Sequence, residues 1–125
     1  NMAEHPLGNI PSNVIVETFV PQAEVLPHAQ AVVTHGGAGT MLGALAAGVP
    51  LVIAPMFADQ PDNARSVEAA GAGVAVFEAG SASLRAGIEN VLKDSDFLVG
   101  AKRVSSQMAG MPGIDEAVDI MLAAT

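Results

Sequence analysis

The most informative stretch of the sequence is glycine-rich: residues 34–40 are Thr-His-Gly-Gly-Ala-Gly-Thr. An apolar run precedes it and a helix-forming run follows it, which predicts a turn from a strand into a helix. Glycines let a backbone approach a ligand closely, and the first turn of a helix presents unpaired N–H groups with positive partial charge. The stretch could therefore hold a phosphate or diphosphate, with a further donor from His35 and a hydroxyl from Thr40. Glycine-rich turns also occur without a ligand, so this stretch alone leaves both interpretations open.

Two stronger phosphate-binding signatures are absent from the sequence. A P-loop requires Gly-Lys-Ser/Thr, but no lysine precedes Lys93, and the dinucleotide fingerprint requires a third glycine where Leu42 stands. The second absence disfavours a nicotinamide-dependent oxidoreductase. Because the first lysine or arginine is Arg65, an anion site in the first half must use histidine and backbone N–H groups or take a cation from elsewhere.

A second polar cluster lies in residues 55–63, between a predicted strand and a predicted helix. Ligands of open α/β sheets bind beyond the carboxyl ends of the strands, and the carboxylate of Asp59 with the amides of Gln60 and Asn63 suits recognition of hydroxyl groups, as on a sugar. The alternative is a helix cap by Asp62 or Asn63 with solvated neighbours.

A third cluster is Phe19-Val20-Pro21-Gln22, just after a predicted strand. An aromatic ring next to an amide can hold a flat base, because the ring stacks on the base and the amide pairs with its edge. The alternative is a core phenylalanine beside a surface glutamine.

The apolar runs that position these clusters alternate with helix-forming runs. Strands are predicted over 14–20, 31–35, 51–54 and 73–77, and helices over 40–47, 62–70, 83–93, 97–108 and 114–123. The middle strands do not alternate with polar residues, which is typical of strands buried on both faces. The pattern predicts one α/β domain over 1–125, a Rossmann-like doubly wound parallel sheet in which residues 81–125 form a helical C-terminal tail.

The composition excludes several other functions. The 125 residues carry 5 Lys+Arg against 13 Asp+Glu, a formal net charge of −8, whereas binders of nucleic acids or anionic membranes present clustered basic side chains. The absence of cysteine excludes disulfides, thiolate zinc sites and cysteine nucleophiles. No spacing indicates a two-histidine metal site or a Ser/His/Asp triad. Without a targeting segment at residues 1–6, we expect a cytoplasmic protein that binds neither nucleic acid nor membrane.

Taken together, the clusters resemble the donor-binding signature of the UDP-glycosyltransferase superfamily, and of the bacterial antibiotic or macrolide glycosyltransferases in particular. Order and spacing hold from about residue 13 to residue 76. The segments that carry the resemblance are Phe19-Val20-Pro21-Gln22, Leu26-Pro27-His28, residues 34–40, Gly48-Val49-Pro50, Pro55 and Asp59-Gln60-Pro61-Asp62-Asn63.

The resemblance implies the GT-B fold, in which two Rossmann-like domains enclose the substrates. It places this chain in part of the C-terminal, donor-binding domain, so that either another chain or copy completes the sheet or the sheet keeps a gap. The acceptor pocket and the catalytic base would lie in an N-terminal domain, so no catalytic residue is expected here and the chain alone should be inactive. The implied reaction moves a sugar from a nucleoside diphosphate to a small, natural-product-like acceptor, without a metal or other cofactor. The alternative is a non-catalytic module that binds nucleotide sugars.

The resemblance also implies a role for each matching residue. The nucleoside would be held by Phe19, Val20 and Gln22. The diphosphate would be held by His35, Gly36, Gly37, Gly39 and Thr40. The sugar would be faced by Asp59 and Gln60.

The chain departs from the family pattern at two positions. Gly43 stands where many members have a glutamate that holds the ribose hydroxyls, and Phe19 stands where they have a tryptophan that stacks on the base. Because a carboxylate that bridges two hydroxyls is less useful when one is absent, we expect a dTDP-deoxysugar donor in preference to a UDP-sugar.

Overall fold

The computed structural model describes residues 11–15, 17, 21–78 and 80–124. In this part of the chain, three strands form one parallel sheet: β1 (Val32–Thr34), β2 (Leu51–Ile53) and β3 (Gly73–Ala75), in the order β1-β2-β3. The helices are α1 (Gln22–Val25), α2 (Ala38–Ala46), α3 (Gln60–Ala69), α4 (Ser81–Lys93), α5 (Ser95–Ala109) and α6 (Ile114–Ala124), and a 3-10 turn over Leu26–His28 follows α1. The predicted parallel α/β architecture with a helical C-terminal tail is confirmed.

The burial of the central strand β2 shows that both faces of the sheet are covered. Leu51, Val52 and Ile53 are all fully buried, which only a strand covered on both faces allows. The side chains of Leu51 and Ile53 belong to the main core, with residues of α2, α3, α5 and α6. The opposite face is covered by α4, where Gly87 lies against the side chains of Val52 and Val74. Helices α2 and α3 connect successive parallel strands, so their N-termini lie at the carboxyl edge of the sheet.

The predicted first strand over 14–20 is wrong for the residues of it that the structure describes. Val14, Ile15 and Glu17 are not in a strand, and the Val14 N–H donates to the Pro11 carbonyl at 3.0 Å. The β-branched run has strong strand propensity, but it finds no pairing partner among the described residues, and Ile15 is 83% exposed. Residues 16 and 18–20 lie outside the described residues.

Two predicted helix starts are too late. Helix α2 begins at Ala38 with Gly37 as its N-cap, so Thr40 lies inside the first turn and does not cap it. Helix α3 begins at Gln60 with Asp59 as its N-cap. In both cases the helix begins before the side chain that could cap it. The chain turns at Gly36, with φ +99°, just before α2, and Pro61, whose fixed φ suits a first turn, lies at the start of α3.

The other boundaries differ slightly. Strand β3 ends at Ala75 instead of residue 77, because β2, its partner, ends at Ile53. Helices α4 and α5 begin at Ser81 and Ser95, earlier than predicted, and α5 is capped by Asp94, whose carboxylate accepts from the Asp96 N–H at 3.0 Å. None of the helices in the described part of the chain has the length and apolar character that a bilayer crossing requires.

Candidate functional site

Three segments meet beyond the carboxyl ends of β1 and β2: the glycine-rich turn, the loop before α3 and the start of α1. The contacts that join them span 18 residues between Gln22 and Thr40 and 27 residues between Gly36 and Asn63. These are the segments that the sequence analysis selected as separate clusters, and the fold brings them to one place.

The glycine-rich turn depends on Gly36. Its φ is +99°, and a Cβ atom there would come within 2.9 Å of Ile53 Cγ2, at the end of β2. The Gly36 N–H donates to the Thr34 hydroxyl at 3.2 Å. Only glycine fits this combination of positive φ and close approach, so the turn after β1 can fold tightly over the edge of the sheet.

The glycine-rich turn leads directly into the N-terminus of α2. No side chain caps α2 at Gly37, and the first helical bond runs from the Met41 N–H to the Gly37 carbonyl at 3.0 Å. The N–H groups of Ala38, Gly39 and Thr40 therefore find no acceptor among the described residues. Such groups carry positive partial charge and are suited to an anion.

His35 lies next to this helix end. A Cβ atom on Gly37 would come within 3.3 Å of His35 Cε1, so the imidazole ring borders the turn, and the residue is exposed. The ring can therefore add a donor to the row of backbone N–H groups, as the sequence analysis expects.

Gln22 and Thr40 are joined directly. The Thr40 hydroxyl donates to Gln22 Oε1 at 3.2 Å, which ties the start of α1 to the first turn of α2. The Gln22 amide nitrogen has no partner among the described residues and can still donate to a ligand. Phe19 and Val20, the other two residues assigned to the nucleoside, lie outside the described residues.

The loop before α3 is held from within by Gln60. The residue is 6% exposed, and its Oε1 accepts from the N–H groups of Met56 at 2.9 Å and Phe57 at 3.1 Å. Ala58, which lies between Phe57 and Asp59 in this loop, has φ +58°, an unusual conformation for a residue with a Cβ. The two residues assigned to the sugar thus differ: Asp59 is exposed, whereas Gln60 is buried with its oxygen already used and its nitrogen without a partner among the described residues.

Asn63, which belongs to the predicted polar cluster and was also a candidate helix cap, contacts the glycine-rich turn. Its Nδ2 donates to the Gly36 carbonyl at 3.0 Å, so the first turn of α3 holds the glycine-rich turn in place. The signal in the sequence was an amide in the first turn of a helix that follows a neighbouring strand, a position from which it can reach the adjacent turn. Its partner, Gly36, lies 27 residues away in the sequence, so the local pattern did not predict the contact.

Arg65, the first lysine or arginine of the sequence, contacts an acidic and an aromatic side chain. Arg65 lies 3.6 Å from the Asp62 carboxylate, and its guanidinium is 4.9 Å from the centroid of the Phe77 ring. In the described part of the chain, no three His, Asp or Glu side chains come together as a metal site would require. The arrangement can bind an anion at the start of α2 and hydroxyl groups beside Asp59 and Gln60.

Comparison with known proteins finds relatives over most of the chain. Residues 1–124 match the family described as erythromycin biosynthesis protein CIII-like, C-terminal domain. The elloramycin glycosyltransferase of Streptomyces olivaceus is 41% identical over 106 residues, 85% of this chain and 27% of that protein. The tylactone mycaminosyltransferase of Streptomyces fradiae is 36% identical over 107 residues, 84% of this chain and 24% of that protein. The chain thus spans about a quarter of the length of these relatives.

Solved structures show the same fold. A spinosyn rhamnosyltransferase complexed with thymidine diphosphate superposes with a TM-score of 0.83 at 28% identity, over 95% of this chain and 33% of that one. The glycosyltransferase VinC in complex with dTDP gives a TM-score of 0.81 at 28% identity, over 94% of this chain and 30% of that one. The fold is that of the C-terminal domain of GT-B glycosyltransferases. The chain therefore belongs to the erythromycin biosynthesis protein CIII-like C-terminal domain family of macrolide and antibiotic glycosyltransferases.

Proposed function

We propose that this chain is the donor-binding part of a glycosyltransferase that moves a sugar from a nucleoside diphosphate to a small, natural-product-like acceptor. The observation that carries the proposal is the uncapped N-terminus of α2, which lies beside His35 and is tied to both Gln22 and Asn63. Three N–H groups without an acceptor among the described residues, together with an imidazole, suit an anion and need no lysine or arginine.

The proposal assigns a role to each part of the site. The diphosphate lies against the N–H groups of residues 38–40 and His35. The base stacks on Phe19, its edge is bonded by Gln22, and Val20 completes the nucleoside site. The sugar hydroxyls meet Asp59 and the Gln60 nitrogen. During transfer, negative charge grows on the leaving diphosphate, and preorganised N–H donors at a helix N-terminus stabilise that charge. No metal ion is required for this step. The acceptor and the catalytic base are supplied by another part of the protein, so this chain alone does not catalyse transfer.

The preferred donor is a dTDP-deoxysugar. Two structural neighbours are complexes with thymidine diphosphate, and the relatives include a rhamnosyltransferase and a mycaminosyltransferase by name. Gly43 offers no carboxylate for a pair of ribose hydroxyls, which removes an advantage of UDP over dTDP.

The test is calorimetric titration of the intact protein with dTDP and UDP, for the wild type and for His35→Ala and Gln22→Ala. Because a hydrogen bond to a charged group contributes about 1.5–3 kcal/mol, we expect His35→Ala to weaken dTDP binding about 10-fold or more. Gln22→Ala should have a smaller effect in the same direction. Gln107→Ala is the matched control for Gln22→Ala, because Gln107 is exposed on α5 and its loss should leave the affinity unchanged.

Three outcomes separate the parts of the proposal. Unchanged affinity in both site variants would remove the site assignment. Tighter binding of UDP than of dTDP would contradict only the donor preference. Nucleotide binding without any sugar transfer by the intact protein, across a panel of donors and acceptors, would favour a non-catalytic binding module.

A further inference from the structure

The peptide bond between Gly36 and Gly37 lies at the centre of the glycine-rich turn. The described residues contain no cis peptide bond, and in a trans peptide the carbonyl and the N–H point in opposite directions. The Gly36 carbonyl accepts from Asn63 Nδ2 at 3.0 Å, so it faces the first turn of α3. The Gly37 N–H therefore faces away from α3, and it finds no acceptor among the described residues.

This peptide can reverse more easily than others, because a glycine lies on each side of it. Rotation of a peptide plane by about 180° changes ψ of the residue before it and φ of the residue after it. The rotation would take φ of Gly37 from −61° to about +120°, a value that essentially only glycine adopts. In Gly36-Gly37, no Cβ atom opposes the change, so the orientation must be set by a contact outside the turn.

The two orientations present opposite charge to a ligand. With the Gly36 carbonyl on Asn63, the partly exposed Gly37 is free to add its N–H to those of residues 38–40. In the reversed orientation, the carbonyl oxygen would take the place of that N–H and would repel a diphosphate. One hydrogen bond from Asn63 therefore selects the orientation that suits an anion.

Helix α3 holds the amide of Asn63 in a fixed place. The Asn63 N–H donates to the Asp59 carbonyl at 3.0 Å, so the residue belongs to the first hydrogen-bonded turn of the helix. Gly36 packs against the same turn, since a Cβ atom there would come within 3.4 Å of the Gln60 carbonyl oxygen. The glycine-rich turn thus lies directly on the helix that orients its peptide.

We propose that Asn63 is a positioning residue of the nucleotide site: by holding the Gly36 carbonyl on α3, it keeps the 36–37 peptide in the orientation that presents an N–H, and not a carbonyl, to the diphosphate. The inference rests on the proposed function and deepens it, because it adds the Gly37 N–H to the donors of the site. Asn63 acts through this peptide and need not touch the nucleotide.

The test compares dTDP with thymidine on the intact protein, by calorimetry, for the wild type, Asn63→Asp and Asn63→Ala. The carboxylate introduced by Asn63→Asp repels the Gly36 carbonyl and can accept from the N–H of the reversed peptide. The preference for dTDP over thymidine should therefore fall about 10-fold, as expected for one hydrogen bond to a charged group. Asn63→Ala, which favours neither orientation, should lower the preference less. An unchanged preference in Asn63→Asp would overturn the inference.

Folding is checked by thermal unfolding of each variant. A carboxylate suits the first turn of a helix, so Asn63→Asp should leave α3 folded. Asn90→Asp is the matched control, because Asn90 is exposed in the last turn of α4 and its replacement should leave the preference for dTDP unchanged.

A second substitution separates the orientation of the peptide from the added charge. Gly37→Ala opposes the reversed orientation, whereas the native φ of −61° and ψ of 141° suit alanine. Its Cβ atom would come within 3.3 Å of Cε1 of the exposed His35 ring, which can move aside. Gly37→Ala should leave the wild-type preference within about 2-fold and recover part of the preference lost in Asn63→Asp and Asn63→Ala. A role of Asn63 in stability alone would not respond to position 37, so no recovery in either background would overturn the inference.

The two proposals fail in different ways. If the wild type binds dTDP no more tightly than thymidine, the proposed diphosphate site fails and takes this inference with it. If the wild type prefers dTDP and the preference survives in both variants of Asn63, only this inference is lost.

Discussion

The two ends of helices α2 and α3 are built differently. At their C-terminal ends, which we call the closed ends, side chains of α5 satisfy the last carbonyls: the Ser105 hydroxyl donates to the Ala46 carbonyl and Arg103 Nη2 donates to the Ala70 carbonyl, both at 2.7 Å. At their N-terminal ends, the open ends at Gly37 and Asp59, no side chain makes a capping bond. The protein therefore completes one end with its own side chains and leaves the other available to a ligand.

The opposite partial charges at the two ends of a helix explain why the two ends differ. The C-terminal end of a helix carries negative partial charge, which a guanidinium complements, and the N-terminal end carries positive partial charge, which an anion complements. Satisfied closed ends contribute to stability. Unsatisfied open ends contribute little to stability but can bind a diphosphate, and they are held in position by Asn63 and Gln22 instead of being capped.

Substitution at the closed ends should therefore affect stability more than binding, and the largest effect is expected at Gly100. A Cβ atom there would collide with the Gly71 carbonyl oxygen, which belongs to the backbone just after α3. Because backbone cannot rotate away, Gly100→Ala should cost about 3 kcal/mol and lower the midpoint of thermal unfolding by roughly 10 °C.

The affinity of the folded Gly100→Ala protein for dTDP should stay within about 2-fold of the wild type, since the change is remote from the open ends. Gly110→Ala is the matched control, because its φ of −80° suits alanine and its surroundings are open. Equal midpoints for the two variants would show that α5 does not approach Gly71 as closely as described.

Gly36→Ala should affect both properties, because Gly36 shapes an open end. The positive φ and the contact with Ile53 together should cost about 2 kcal/mol of stability. Displacement of the turn should also weaken dTDP binding at least 10-fold, measured by calorimetry under conditions where the variant is folded.

Gly113→Ala separates these two effects. Gly113 has φ +76°, but a Cβ there would meet no atom within 4 Å. Gly113→Ala therefore introduces the same kind of backbone strain as Gly36→Ala, but away from the candidate site. It should lose some stability and keep its affinity for dTDP. A comparable loss of affinity in both glycine variants would argue that Gly36 acts only through stability.

The smallest effect is expected for Arg103→Ala at the closed end of α3. Its hydrogen bond to the Ala70 carbonyl is exposed to solvent, so the loss should be about 0.5–1 kcal/mol and should decrease with added salt. Arg85→Ala is the matched control, because Arg85 forms an exposed pair with Glu89 at 3.5 Å, and pairs of this kind contribute little. Thermal unfolding at low and high salt compares the two. A change in dTDP affinity for Arg103→Ala would contradict the separation of the two ends.

Local patterns were sufficient to predict the three strands of the sheet and the glycine-rich turn that the candidate site contains. Leu51–Ile53 is an apolar run between two prolines, and a strand buried on both faces has few alternatives for such a run. The glycine-rich turn was recognised because its glycines lie between a strand and a helix, where backbone donors become available.

Local patterns could not predict the helix starts or the contacts that complete the site. Thr40 and Asp62 are good capping residues, but the backbone begins each helix earlier, so neither is used as a cap. The bonds of Asn63 with Gly36 and of Gln22 with Thr40 depend on how the helices pack on the sheet, which no short segment specifies. The run at 14–20 has strand propensity, but a strand forms only with a neighbour to pair with.

The central claim is that the open end of α2 binds a diphosphate, and the most direct test compares dTDP with thymidine on the intact protein by calorimetry. If the N–H groups of residues 38–40 and His35 bind the phosphates, dTDP should bind at least about 100-fold more tightly than thymidine, a difference of about 2.7 kcal/mol. The difference should shrink in Gly36→Ala and persist in Gly113→Ala. Equal affinities for dTDP and thymidine in the wild type would contradict the account, because they would place all of the binding energy in the nucleoside.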